Sequence, residues 1–254
     1  MSAKVAQSVQ LNPHISIDCV VFGFDEDELK VLLIERKPVA SRESAGSFQT
    51  KLALPGNLIR DDEDLDTNAR RILQELTGLA HIYLQQFGSF GDPDRVRGEN
   101  DIAWLKEMRK EPMERVVTIA YYSLVKLSDY EPHASLFAEK AEWYPVSGIK
   151  SLAFDHYKIL NGALETLKND VRIHPVGFEL LPGKFTLGQL QRLYEIILST
   201  ELDKRNFRRK ILKTGILKPS GEKQSGVRHK PAELFSFDKK RYYELREERY
   251  DIGL

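Results

Sequence analysis

The sequence has one cysteine among its 254 residues, no net charge at pH 7 and no long apolar run. A single cysteine cannot form a disulfide within the chain, and Cys19 lies in an apolar stretch, which indicates a buried structural thiol. No segment approaches the roughly 18 apolar residues of a transmembrane helix, and the first residues lack the apolar core of a signal peptide. These absences predict a cytoplasmic protein with no membrane partner, large enough for two modest domains or one large one.

The zero net charge conceals an uneven distribution of charge along the chain. Residues 181–254 contain 17 lysines and arginines and 10 aspartates and glutamates, so this part has a charge of +7 and residues 1–180 have −7. A basic segment behind an acidic one is typical of a nucleic-acid-binding module, although a merely solvated surface would have the same composition.

The most informative stretch is residues 52–79, in which a short apolar strand leads through Pro55 and Gly56 into an acidic loop and a helix. Gly78 is well placed to end that helix, because glycine adopts the left-handed conformation of a helix C-cap. The helix is predicted from apolar residues that share one face at helical spacing: Leu65, Ala69, Ile72, Leu73 and Leu76.

This stretch resembles the Nudix box, G-x5-E-x7-R-E-U-x-E-E-x-G-U, where U is a bulky apolar residue. Asn57 stands at the first glycine, and Ile72 and Leu76 replace two carboxylates. In the family these carboxylates hold Mg²⁺ or Mn²⁺ against a diphosphate, and hard cations need oxygen ligands. The sequence therefore predicts a Nudix fold without hydrolysis, metal or other cofactor, in which Glu75 pairs with the arginine four residues before it. The positions that still match are Glu63, Arg71, Leu73, Glu75, Gly78 and Leu79.

The rest of the N-terminal part alternates between strand and helix patterns. An insertion at residues 96–113 is expected to pack as a short helix, with a lid over the pocket or a dimer contact as the alternatives. Strands are predicted at residues 14–24, 29–36, 81–90, 115–125 and 143–146, and a helix at 156–168.

The basic C-terminal part follows a turn-rich linker. Thr186 and Gln189 form a capping box for one helix, and Asp203 caps a second, basic helix that ends near Gly215. A two-strand ribbon with a glycine-containing tip comes next. This order is typical of a winged helix, whose basic helix enters the major groove while the ribbon contacts phosphate or the minor groove. A membrane surface or a partner protein is the alternative for such a helix. Arg205, Arg208, Arg209 and Lys213 are expected on the exposed side of the basic helix. The predicted DNA-binding residues are Lys204, Arg205, Arg208, Arg209, Lys213, Arg228, His229 and Lys230.

Together these features resemble the Nudix-related transcriptional regulators, over about residues 14–237. The likeness rests on the degenerate box and on short stretches that include Phe90-Gly91-Asp92, Ala153-Phe154-Asp155-His156, Asn206-Phe207-Arg208-Arg209-Lys210 and Lys230-Pro231-Ala232. The resemblance implies a dimeric bacterial repressor or activator whose Nudix domain senses a small effector, ADP-ribose in one branch and L-arabinose in another. It implies an α/β protein with a Nudix-type α/β/α sandwich and mixed sheet in residues 1–168, a linker at 169–184 and a small winged-helix domain in 185–254.

The expected partners are double-stranded operator DNA, a second copy of the chain and a small effector. Four acidic residues surround Arg60 in the box loop, which favours a neutral pentose over ADP-ribose because anions prefer positive surroundings. Two alternatives are an active hydrolase of ADP-ribose or a related diphosphate, and a binding module for RNA or protein. The apolar box residues argue against the first, and the capped helices and ribbon against the second. The predicted effector-binding residues are Asp18, Arg36, Asp92, Arg95, Tyr121 and His156.

Overall fold

The computed structural model describes residues 10–25, 28–36, 52–96, 101–102, 105–106, 112, 114–135, 138–173, 180–228, 230–238, 240–241 and 244. None of the described helices is long and apolar enough to cross a membrane. The regular elements are β1 Leu11–Phe24, β2 Leu29–Arg36, β3 Leu52–Ala53, β4 Gly56–Arg60, α1 Leu65–Thr77, β5 Gln85–Phe90, β6 Val117–Lys126, β7 Ala138–Pro145, α2 His156–Ile173, β8 Phe185–Thr186, α3 Leu187–Leu198, α4 Lys204–Lys213, β9 Leu217–Lys223 and β10 Glu233–Phe237.

The first seven strands form one mixed sheet. β1 pairs in parallel with β6 and antiparallel with β2 and β4, while β5 pairs antiparallel with β6 and β2 with β7. Successive side chains of a strand point to opposite faces. Ile17, Cys19 and Val21 of β1 therefore pack with α1, and Val20 and Phe22 pack with α2. The predicted α/β/α sandwich with a mixed sheet is confirmed.

Helix α1 forms where the box pattern predicts it. The Asp64 carboxylate accepts a hydrogen bond of 2.7 Å from the backbone N–H of Thr67 and caps the first turn. Gly78 ends the helix with a φ of 73°, the left-handed region that glycine adopts without strain. Ile72 and Leu76 are fully buried against the sheet, so the amphipathic period that predicts the helix also identifies its buried face.

The C-terminal elements form a small winged helix with its own three-stranded sheet, in the order β8-β10-β9. Thr186 and Gln189 make the predicted capping box at the start of α3. Asp203 caps α4 by accepting a 2.7 Å hydrogen bond from the N–H of Asn206. The rings of Tyr194 and Phe207 meet edge to face with centroids 5.4 Å apart, which joins α3 to α4.

Several element boundaries differ from the predicted ones, and the largest differences are at α2, β5 and β7. α2 continues to Ile173, into the predicted linker, because Leu167 and Val171 are fully buried and extend its apolar face. These two residues belong to one hydrophobic cluster with Leu190 and other winged-helix residues, so the core is continuous between the two parts. β5 begins at Gln85 rather than at residue 81, since His81 has a φ of 59° and cannot lie in a strand. β7 begins five residues before the predicted strand and ends at Pro145.

Candidate functional site

A pocket opens on the α2 face of the sheet, near the start of that helix. Asp18 of β1, Arg95 from the turn after β5 and His156 of α2 all line it. Strand alternation brings Ser16 to the same face as Asp18, and the parallel register sets Ser16 beside Thr118 of β6. The hydroxyls of Ser16 and Thr118 are 2.6 Å apart and hydrogen-bonded. The sheet therefore presents a polar floor to the pocket.

Arg95 lies at the centre of this polar group, with only 7% of its side chain exposed. Its Nη2 is 2.7 Å from Asp155 Oδ1 and 3.8 Å from Asp18 Oδ2. Its Nη1 donates to the carbonyls of Phe90, at 3.1 Å, and Val116, at 3.4 Å. A buried guanidinium is tolerated only when its donors find acceptors. These contacts fix Arg95 in place before any ligand arrives.

His156 is held in one tautomer by the backbone that follows β3. Its Nδ1 accepts a 2.9 Å hydrogen bond from the backbone N–H of Leu54. An accepting Nδ1 requires that a neutral ring bears its proton on Nε2. That atom is 3.5 Å from Asp18 Oδ2. Asp18 thus faces both the histidine and Arg95, and Oδ2 of the neighbouring Asp155 has no hydrogen-bond partner among the described residues.

Gly56 is a steric requirement of this arrangement. A Cβ at this position would lie 1.8 Å from Asp18 Oδ1 and 2.8 Å from the carbonyl oxygen of Ile17. Only glycine lets β4 approach β1 closely enough to enclose the buried carboxylate.

The other three predicted effector residues do not join this group. Tyr121 is buried on the opposite face of the sheet, where its hydroxyl donates to Asp66 Oδ1 at 2.8 Å and burial raises its pKa. Asp92 lies in an exposed turn, 3.9 Å from the ammonium of Lys158. The side chain of Arg36 falls outside the described part of the chain. Successive residues of a strand point to opposite faces, so the spacing along β6 could have indicated that Thr118, and not Tyr121, shares the face of Asp18. Asp155, which immediately precedes His156, is missing from the predicted set.

The Nudix box forms a closed ring of two arginines and two glutamates. Glu63 Oε1 is 3.4 Å from Arg60 Nη1, and its Oε2 is 2.7 Å from Arg71 Nε. Glu75 Oε1 is 2.9 Å from Arg60 Nη2, and its Oε2 is 3.0 Å from Arg71 Nη1. The predicted pairing of Arg71 with Glu75 is present, and each carboxylate oxygen has an arginine partner.

The residues of the box do not fit the divalent metal that the fold family implies. Ile72 and Leu76 have no exposed surface and no oxygen to offer. The two remaining carboxylates are already neutralised by guanidinium groups, and Mg²⁺ needs near-octahedral oxygen geometry. Within the described ranges, no group of three or more His, Cys, Asp or Glu side chains is arranged to hold a metal ion.

A second candidate surface is the outer face of α4. Phe207 and Ile211 point into the core of the winged helix. Arg208 was expected on the opposite, exposed face, but it is half-buried. It precedes Ile211 by three positions, so the two side chains are neighbours on the helix surface. Its Nε is buried without a hydrogen-bond partner in the described part of the chain. His229 lies outside the described residues. The predicted cations that are exposed are Lys204, Arg205, Arg209 and Lys213 on the helix, and Arg228 and Lys230 between β9 and β10.

Comparison with known proteins agrees with this two-part organisation. Residues 12–162 match the model of the NUDIX domain, and residues 177–237 match the NrtR DNA-binding winged helix domain. The chain is 31% identical over 240 residues to a protein of Acinetobacter baylyi named ADPR responsive transcriptional repressor NtrR, covering 92% of this chain and 86% of that relative. It is 27% identical to an ADP-ribose pyrophosphatase of Methanocaldococcus jannaschii, over 59% of this chain and 72% of that protein.

The similarity extends to a solved structure. The crystal structure of Shewanella oneidensis NrtR superimposes with a TM-score of 0.66 at 25% identity, over 88% of this chain and 94% of that one. A Nudix domain, a DNA-binding winged helix and the order in which they occur are thus all shared with repressor relatives. The chain belongs to the Nudix-related transcriptional regulators.

Proposed function

We propose that this protein is an operator-binding repressor whose affinity for DNA changes when its Nudix domain binds ADP-ribose. The observation behind this proposal is that one chain joins a preorganised polar pocket, around Asp18, Arg95 and His156, to a winged helix whose second helix exposes cations. A relative aligned over 92% of this chain is named as an ADPR-responsive repressor. Because operator DNA lies in the cytoplasm, the protein would act there.

ADP-ribose is the effector that similarity to the ADPR-responsive repressor favours. The sequence-based preference for a neutral pentose rested on the acidic residues around Arg60. In the structure, Glu63 is neutralised by Arg60 and Arg71, so the box presents less negative charge than its sequence indicates. In the pocket, the charge of Arg95 is balanced by Asp155 and Asp18, and Asp18 supplies acceptors of the kind that ribose hydroxyls require. A pentose remains the alternative effector that the binding experiment tests.

We further propose that the bound effector is not hydrolysed. The pyrophosphatase relative aligns with 59% of this chain, and Ile72 and Leu76 leave the box without two of the carboxylates that would hold the metal. The check is AMP release from ADP-ribose in the presence of Mg²⁺ or Mn²⁺ over several hours. A turnover of about 1 s⁻¹ or faster, an ordinary enzymatic rate, would contradict this part of the proposal.

On DNA the protein would act as a homodimer. Two copies of α4 would read two half-sites on one side of the duplex, about 10 base pairs or a multiple of that apart. Sedimentation of the chain with and without a two-site duplex measures the stoichiometry. A complex with one chain per duplex would contradict the dimer.

The central experiment is a DNA titration with and without candidate effectors. A duplex selected from a random library is labelled, and its dissociation constant is measured by fluorescence anisotropy at one fixed salt concentration. ADP-ribose is expected to change that constant by about 5–150-fold, the usual range of coupling between two sites, while AMP and L-arabinose leave it unchanged. An effect of L-arabinose instead would assign the effector to the sugars.

Two arginine variants link that response to the pocket. Arg95→Gln removes the buried positive charge and is expected to abolish the response to ADP-ribose while DNA binding without effector persists. The matched control is Arg115→Gln, since Arg115 is exposed and, within the described ranges, donates to the Gly91 carbonyl, at 3.0 Å, outside the polar group. Equal responses in the two variants would show that the effector binds elsewhere.

A further inference from the structure

The four-residue ring in the box has one member that the Nudix consensus does not contain. Arg71 stands at the consensus arginine, and Glu63 and Glu75 stand at consensus glutamates. Arg60 comes from an unspecified position at the end of β4, yet it contacts one oxygen of each glutamate, at 3.4 and 2.9 Å. It bridges the two carboxylates that the box retains, and Glu75 stands at one of the helix positions where carboxylates of the family hold the divalent cation.

The backbone around Arg60 is built to hold it there. Asn68 has no exposed surface, and its Oδ1 accepts a 2.7 Å hydrogen bond from the backbone N–H of Arg60. Its Nδ2 donates to the carbonyls of Glu63 and Asp64, both at 3.0 Å. Arg71 also donates to Asn68 Oδ1. One buried amide thus ties the end of β4, the acidic loop and α1 together, and fixes the geometry of the ring.

We propose that Arg60 has replaced the divalent cation of the Nudix box, so that its guanidinium excludes metal from Glu63 and Glu75. A cation entering the ring would have to displace a guanidinium that is only 27% exposed and is bound to both carboxylates. With both arginines present the ring has no net charge. Without Arg60 it has one net negative charge, and one oxygen of each glutamate loses its arginine partner. A built-in cation also makes the box independent of cellular Mg²⁺. The inference concerns the box alone and holds whichever effector the pocket takes.

The test is the binding of Mn²⁺ to the full chain and to Arg60→Gln, followed by the electron paramagnetic resonance signal of the free ion. The wild-type chain is expected to leave the signal of millimolar Mn²⁺ unchanged. Arg60→Gln is expected to bind the ion at least tenfold more tightly than the wild type. Arg70→Gln is the matched control, because Arg70 lies on the same helix, is exposed and donates to Thr67 Oγ1, at 3.4 Å, rather than to the two glutamates of the ring. It is expected to behave like the wild type.

Two further measurements separate the loss of the guanidinium from a loss of fold. Arg60→Lys keeps the charge and is expected to exclude Mn²⁺ as the wild type does. Circular dichroism shows whether each variant is folded, and paramagnetic broadening of the Asn68 side-chain amide signals locates the bound ion at the box. The proposal is overturned if the wild type binds Mn²⁺ as tightly as Arg60→Gln, or if a folded Arg60→Gln binds no better than Arg70→Gln. The wild-type titration needs no variant: saturable binding of Mn²⁺ by the wild-type chain, with broadening of the Asn68 side-chain signals, overturns the proposal even if Arg60→Gln does not fold.

Discussion

Ile72 and Leu76 show how two residues can remove metal ligands from the helix of a Nudix box. Both lie on the face of α1 that packs against the sheet, and neither has exposed surface. Their identity was readable from the sequence, because the spacing of the box names the positions where carboxylates belong. The ion pairs of Arg60 with Glu63 and Glu75 could not be predicted from the sequence, because Arg60 and Glu75 are fifteen residues apart and meet only when β4 and α1 pack together.

Restoring one consensus carboxylate should destabilise the protein without restoring hydrolysis. Truncating a fully buried isoleucine costs about 2–5 kcal/mol, and Ile72→Glu adds the desolvation of a carboxyl group in an apolar site. We therefore expect Ile72→Glu to unfold at a lower urea concentration than Ile72→Ala. Gln74→Glu is the control, because it adds the same charge to an exposed position of the same helix and should leave the urea midpoint nearly unchanged. Equal midpoints for all three variants would mean that the α1 face is not the core contact described here.

Asp64 gives the stability of the fold a dependence on pH. The backbone N–H of Thr67 donates to its carboxylate and lowers its pKa below the ordinary value of 3.8. A carboxyl group with a lowered pKa stabilises the folded state above pH 3.8, and this stabilisation is lost as the pH falls through the folded pKa. Asp64→Asn keeps a capping acceptor that does not titrate. Between pH 6 and pH 3, the urea midpoint of the wild type should therefore fall further than that of the variant. Parallel curves would show that the cap does not titrate as described.

At the scale of elements, the winged helix is the part of the chain that was best predicted from its sequence. Both helix caps, the two-strand ribbon and the end of α4 near Gly215 follow from local residue patterns that tertiary packing does not override. The exposure of Arg208 was predicted wrongly. Arg208 lies at the boundary between the buried and exposed faces of α4, and the spacing of apolar residues alone does not locate that boundary.

The capping box of α3 allows a direct measurement. Thr186→Ala removes the hydroxyl that accepts a 3.1 Å hydrogen bond from the N–H of Gln189, and we expect a loss of about 0.5–2 kcal/mol in the free energy of unfolding. Thr186→Ser keeps the hydroxyl and should lose less. Chemical denaturation followed by circular dichroism measures both. A serine variant as unstable as the alanine variant would assign the loss to the methyl group.

The outer face of α4 should dominate DNA affinity. Arg205 and Arg209 lie four residues apart and are both exposed, so they can reach one groove together. If each contacts a phosphate, Arg205→Ala with Arg209→Ala should reduce the salt slope of log K by about two units; a guanine contact would instead cost about 1–3 kcal/mol and relax base preference at one position. The matched control replaces Arg70 and Arg172, which are exposed on α1 and α2. The assignment of the DNA surface is wrong if the two double variants bind the selected duplex equally well at the same salt concentration.

At the scale of the whole molecule, the sequence predicted two domains and missed how closely they are joined. A linker was predicted where α2 continues, because polar residues such as Asn169 and Asp170 conceal the buried Val171 behind them. α2 therefore begins in the pocket, at His156, and ends in the hydrophobic cluster that includes α3. One helix thus extends from the candidate pocket to the DNA-binding part, which is a physical basis for coupling between them if the pocket is the effector site.

That arrangement leads to an expectation about Leu167, a fully buried residue of α2 in the shared cluster. Leu167→Ala and Leu73→Ala, which truncates an equally buried residue of α1 in the other cluster, should each cost about 2–5 kcal/mol of stability. Coupling free energy depends on a structural difference that both sites sense, so loosening the contact of α2 with the winged helix should reduce it. We expect Leu167→Ala to diminish the effect of ADP-ribose on DNA affinity at least threefold, while its affinity for ADP-ribose stays close to that of Leu73→Ala. If both variants keep the full effect, the signal does not pass through the end of α2. If both variants lose the effect of ADP-ribose equally, general destabilisation accounts for that loss. The two truncations remove the same type of side chain, from opposite faces of one sheet, and only Leu167 belongs to the cluster shared with the winged helix.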